Sequence, residues 1–112
     1  MIFRSETVIK YILGGARYVA TIRKPYYHEG QRVELEVGDR KLKGKVIKVL
    51  PVDEARKFAH ISGFKSVDEW LSEAKRLHKV EDLSGLVIVV LRVEGEDRGF
   101  TSEKKGKRGQ KI

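Results

Sequence analysis

The unbroken apolar run from Leu86 to Leu91, continued in kind to Val93, constrains this chain more than any other stretch. It is rich in Val and Ile and has no polar face. A strand of that kind belongs in the middle of a sheet with both faces covered. It is the longest apolar run, and it is far too short to span a bilayer. The chain has 112 residues, which suits one domain built around one core.

Three stretches with strand period offer neighbours for it. In the first, after a stop at Gly14-Gly15, Tyr18, Ala20 and Ile22 share a face that can enter a core. Arg17, Val19, Thr21 and Arg23 share the other. That second face presents two guanidinium groups and a hydroxyl in line, suited to phosphate oxygens, or it is the wet side of an antiparallel sheet. In the second stretch, 31–37, Val33, Leu35 and Val37 point inward, and Gly38-Asp39 marks a hairpin turn. The third, 40–50, carries Lys41, Lys43 and Lys45 on one parity and Leu42 and Val46 on the other. Ile47 and Val49 then join the parity of the lysines, so the pattern predicts a bulge or bend near Gly44. The lysines either form a phosphate-binding stripe or protect an edge strand, and edge protection is preferred.

Helical spacing predicts three further elements. Residues 5–13 form a helix capped by Ser5. Asp53 starts a helix over 54–61, with Ala55, Phe58, Ala59 and Ile61 apolar. Ser66-Val67-Asp68-Glu69 is a capping box opening a helix to about residue 78, with Trp70 in the core. Tyr26 and Tyr27, in the loop after Lys24-Pro25, either stack on bases or divide between core and solvent. Gly95 to Arg98 reads as a turn.

Lys and Arg outnumber Asp and Glu by 24 to 16, a net charge of +8 that favours polyanionic partners. Half of the excess lies in residues 101–112, where Lys104, Lys105, Lys107, Arg108 and Lys111 face a single acid, Glu103. This segment cannot bury itself. It is either a solvated tail or an arm that orders along a phosphate backbone. There is no Cys, so disulfides and Cys-containing zinc sites are excluded. His28, His60 and His78 are spaced without a metal-binding pattern, and no cofactor is implied. The lack of Asn and the wealth of Lys, Arg and Glu match proteins from hot environments. Arg4, Glu6 and Lys10 interrupt the N-terminal apolar residues, so no signal peptide is read and a cytoplasmic location is expected, without membrane attachment.

Three pieces of the chain resemble the ASCH family, a branch of the PUA-like superfamily of small β-barrels associated with RNA. They are Ile12-Leu13-Gly14-Gly15 leading to Thr21-Ile22-Arg23, Gly30-Gln31-Arg32-Val33, and Gly63-Phe64 followed by Ser66 to Glu69. The resemblance implies an α+β fold: a small PUA-like β-barrel with an N-terminal helix and a two-helix insertion over residues 1–94, followed by a basic C-terminal tail, 95–112. It also implies a cleft between the first strand and the insertion. Relatives that act on acylated cytidine use a Lys, a Thr and a Glu there. Thr21 matches the Thr. Tyr18 or Arg17 stands at the Lys position, and Ser62 at the Glu position. Arg stays protonated at neutral pH and Ser is no carboxylate base, so hydrolysis is disfavoured, with Thr21 and Arg17 the weak catalytic candidates.

The expected function is RNA binding, ribosomal RNA or tRNA included, through Arg17, Tyr18, Thr21, Arg23 and Lys24 in the cleft. Lys41, Lys43 and Lys45 extend it, and the C-terminal arm adds affinity. The rivals are a constitutive ribonucleoprotein component, such as one of the ribosome, and a small hydrolase or ribonuclease. If the five tail cations all contact single-stranded RNA, deleting residues 101–112 flattens the dependence of log K on log salt by about 3–4 units. An unchanged slope in a salt titration dismisses the arm.

Overall fold

The computed structural model describes residues 1–96. Five strands and three helices follow one another as β1 (Ile2–Phe3), α1 (Glu6–Leu13), β2 (Tyr18–Arg23), β3 (Arg32–Val37), β4 (Arg40–Pro51), α2 (Ala55–Phe58), α3 (Val67–His78) and β5 (Val87–Glu96). The strands form one sheet in the order β1-β3-β4-β5-β2, curled into a half-barrel. β1 pairs with β3 in parallel, and the other pairings are antiparallel. The architecture is therefore α+β with a barrel-like sheet whose two edges, β1 and β2, are not joined.

β5 lies between β4 and β2, as its two apolar faces require. Val89 and Leu91 enter a core that also holds Val19, Leu35, Val37, Val46 and the α1 residues Val8 and Ile12. Ile88 and Val90 enter a second core on the opposite face, with Ala20, Ile22, Ala55, Trp70 and Ala74. α1 thus covers one face, and α2 and α3 cover the other. The strand also runs further than expected. Gly95 takes a positive φ of 101°, Leu42 pairs with Glu96, and Arg40 holds Glu96 at 2.7 Å. Strand pairing thus replaces the expected turn at residues 95 and 96, while positions 97 and 98 of that turn lie outside the described residues.

The two faces of β2 divide differently from the alternation. Ala20 and Ile22 are buried, but Tyr18 is 40% exposed. Val19, on the face read as open to solvent, is 0% exposed because α1 packs over it. β2 follows β5 in part: Val19 on one face and Ala20 and Ile22 on the other are covered by helices. The paired tyrosines separate, Tyr26 being 75% exposed while Tyr27 packs against the α1 core.

The segment after β4 is not one helix. Single 3₁₀ turns at Val52–Glu54 and Ala59–Ile61 flank the one turn of α2, and Asp53 makes no side-chain cap. Val52, Ala55, Phe58 and Ile61 all meet the second core. Their spacing of three is that of a 3₁₀ helix. Half of the capping box forms: Ser66 Oγ accepts from the Glu69 N–H at 3.1 Å, and α3 ends at His78 with Lys79 in the left-handed region at φ 58°. Glu69 accepts from the Lys65 N–H, one residue ahead of the cap.

β4 is a central strand between β3 and β5, so Lys41, Lys43 and Lys45 do not guard an edge. Lys41 stands opposite Glu36 and Lys43 opposite Glu34, which makes this an outer sheet face of alternating charge. The predicted irregularity is real and double: the pairing with β5 shifts between Leu42 and Gly44 and again between Val46 and Lys48. Gly44 is needed there. A Cβ at this position would lie 2.9 Å from Leu35 Cδ1, and Leu35 is fully enclosed and has no room to swing away. Gly44→Ala should therefore destabilise the fold by about 1–3 kcal/mol, read as a lower urea midpoint at unchanged m-value.

Candidate functional site

The unjoined edges of the sheet create the site. β1 and β2 both line a cleft of about 240 Å³, roofed by α3 and by Ser62 and Phe64 of the insertion. β2 places Thr21 and Arg23 on its wall, and the residues following β1 place Arg4 and Ser5 opposite. Trp70, Glu73, Ala74, Leu77 and His78 come from α3.

Arg23 bridges the gap. Its Nε donates to Thr21 Oγ1 at 3.0 Å, and its guanidinium carbon lies 4.7 Å from the centre of the Phe3 ring on the opposite edge. The contact is a cation–π interaction between the two sheet edges. Burial and, to a lesser extent, the positive charge of Arg4 lower the Arg23 pKa, with the Tyr27 hydroxyl opposing. A guanidinium is not deprotonated in proteins, so the group keeps its charge. Five ion pairs are formed among the described residues, and neither Arg23 nor Arg4 is in one.

The free edge of β2 is sealed at two points. The Arg17 carbonyl accepts from the Val93 N–H of β5, so the backbone groups of Tyr18, Ala20 and Ile22 face away from β5. The Tyr11 hydroxyl donates to the Tyr18 carbonyl at 3.0 Å, and His78 Nε2 donates to the Ile22 carbonyl at 2.9 Å. A carbonyl only accepts, so His78 carries its proton on Nε2 and turns Nδ1 away from that bond. His78 is thus the histidine that lines the cleft.

Two oxygen-bearing side chains there are already engaged. Ser62 is 0% exposed; its Oγ donates to the Ala59 carbonyl at 2.7 Å and accepts from the Phe64 N–H at 3.1 Å. It pins the turn into Phe64. Glu73 is held by Arg76 through two bonds of 2.6 and 2.9 Å, and this guanidinium keeps its carboxyl below the usual range. An ionised carboxylate so held is a poor proton acceptor near neutral pH.

Of the residues expected in one cleft, Thr21 and Arg23 are there. Arg17 is at the other end of β2, in a shallow depression with Arg40, Val93, Gly95 and Glu96. Tyr18 lies beside it across from Arg92. Lys24 is exposed beyond the end of the strand and does not line the cleft. Lys41, Lys43 and Lys45 lie on the outer sheet face. Lys104, Lys105, Lys107, Arg108 and Lys111 lie outside the described residues. Four lining residues carried no expectation of a role: Phe3, Arg4, Glu73 and His78. His78 and Glu73 fall on the stripe of α3 that carries Trp70, Ala74 and Leu77, a signal present in the helical spacing. β1 is two residues long, too short to announce itself.

The chain is 53% identical over 81 residues to "Uncharacterized protein 105" of Sulfolobus islandicus rod-shaped virus 1, a match that covers 70% of this chain and 77% of the viral protein. No family model and no solved structure matches it. The Glu73–Arg76 pair gives a direct check on the electrostatics of the site. By NMR the Glu73 carboxyl should titrate below the ordinary glutamate range, and Arg76→Ala should move its midpoint upward.

Proposed function

The chain belongs to the family of the rod-shaped-virus protein 105, and we propose that it is an RNA-binding module of PUA-like kind that takes a nucleotide into the cleft between β1 and β2. Arg23 is the observation that carries this reading. It is a half-buried guanidinium, fixed by Thr21 and Phe3, with no carboxylate to balance it among the described residues. A desolvated cation without a counter-charge favours an incoming anion, and Arg forks match phosphate oxygens in pairs. The net charge of +8 adds long-range attraction for a polyanion. The ASCH likeness points the same way, since in that family the first strand and the helical insertion flank the cleft, and here Thr21 and Ser62 line one cleft together.

Hydrolysis is the weaker reading. Both hydrogen-bonding functions of Ser62 are used within its own turn, and Glu73 is neutralised by Arg76. A permanent place in a ribonucleoprotein particle uses the same cleft and differs in residence time.

Replacing Arg23 by Gln keeps a polar side chain of similar reach and removes the charge. Fluorescence anisotropy with a short single-stranded RNA should show affinity falling about tenfold or more, with the salt slope reduced by about 0.7–1. Unchanged affinity and slope would remove the cleft from RNA binding. Turnover of an acylated cytidine by the wild-type chain, abolished by Thr21→Ala, would replace this reading with the hydrolase.

A further inference from the structure

Two arginines reach the cleft from opposite sheet edges, and the one carboxylate among its lining residues, Glu73, is bound to Arg76. Arg32, Arg40, Arg76 and Arg92 are each bound to a glutamate on the surface. Among the described residues Arg4 and Arg23 are in no ion pair, as Arg17 and Arg56 are not; Glu73, which lines the same cleft, is bound through both oxygens to Arg76. Arg4 and Arg23 both line the one cleft. Like charges placed together beside apolar walls are costly unless something negative joins them.

We propose that Arg4 and Arg23 form a receptor for a phosphomonoester, so that the cleft takes the phosphorylated end of an RNA in preference to an internal nucleotide. This rests on the RNA-binding reading of the same cleft. A phosphodiester carries one negative charge and two free oxygens. A monoester at neutral pH carries about −1.5 to −2 and three strong acceptor oxygens, a match for two cationic forks. The cleft volume, about 240 Å³, is below the roughly 300–1,000 Å³ of pockets for drug-sized ligands. That is room for a phosphate group and part of the sugar that carries it. Arg23 is pre-positioned by Thr21 and by the Phe3 ring, so little of its freedom is lost on binding. Arg4 is exposed and closes on the phosphate from the other side.

The experiment compares one short RNA sequence in three forms, with a 5′-phosphate, with a 3′-phosphate and with hydroxyls at both ends, and a nucleoside monophosphate as competitor. Binding is read by anisotropy at physiological salt. A preference of about tenfold or more for a phosphorylated end, lost in both Arg4→Ala and Arg23→Ala, supports the receptor, and the better of the two ends names its source. Competition by the free nucleotide as strong as by the RNA also supports the monoester site and assigns it to free nucleotides. Arg4 is exposed, so its variant reports on the site even if the Arg23 variant is unstable. Equal affinity for all three RNAs, weakened equally by both variants, overturns the receptor and leaves RNA binding intact. No binding of any RNA by the wild-type chain overturns both.

Discussion

Everything in this fold depends on covering one strand twice. Ile88, Val89 and Leu91 of β5 are fully enclosed, and they alternate between two separate cores. Each such side chain contributes about 1.5–3 kcal/mol when taken out of water. One layer of helices cannot bury both faces. The chain meets the requirement with α1 on one side and the α2–α3 insertion on the other, and β2, the neighbour of β5, is drawn into the same two-sided burial. That explains why Val19 is enclosed on the face that alternation leaves open.

The cleft follows from the same arrangement. A curled sheet of five strands that does not close leaves two edges facing each other, and edges carry unpaired backbone groups. Here they are managed by side chains. Tyr11 and His78 bind carbonyls of β2, and the Arg23–Phe3 contact spans the gap. What remains between the edges is a recess with apolar walls and two cations. The surface arginines of the outer sheet face are spent on glutamates. Arg17 and Arg56 are in no ion pair among the described residues either; what sets Arg4 and Arg23 apart is that they line one cleft together.

Elements that depend on near neighbours were legible in the chain. The spacing of apolar residues located α1, α3, β2, β3 and most of β5, and the Ser66 cap opened α3 where expected. The change of parity after Gly44 announced a bulge, because side-chain alternation in a strand has no freedom to slip without one. Thr21 and Arg23 were also legible, since their strand and its flanks form a recognisable pattern. Illegible were β1, whose two residues carry no period, and the 3₁₀ turns, whose apolar spacing of three was read as a helix of 3.6. The order of strands was likewise beyond the pattern, and with it the position of Lys41 to Lys45 on a central strand.

The sequence by itself determined that one strand would be covered on both faces, that helices would be apolar along one stripe, and that positive charge would be in excess. These are properties of residues and their near neighbours, and they survive in any register that buries the same side chains. Only the tertiary structure decided which charges meet. Arg17 and Arg23 share a strand face, yet the sheet's length sends one to the depression near Gly95 and the other into the cleft. Arg4, in the opposite direction, is nineteen positions from Arg23 in the chain and shares its cleft, because curling brings the first and last strands of the sheet together. Coulombic interaction depends on distance in space, and periodicity along the chain carries no record of it.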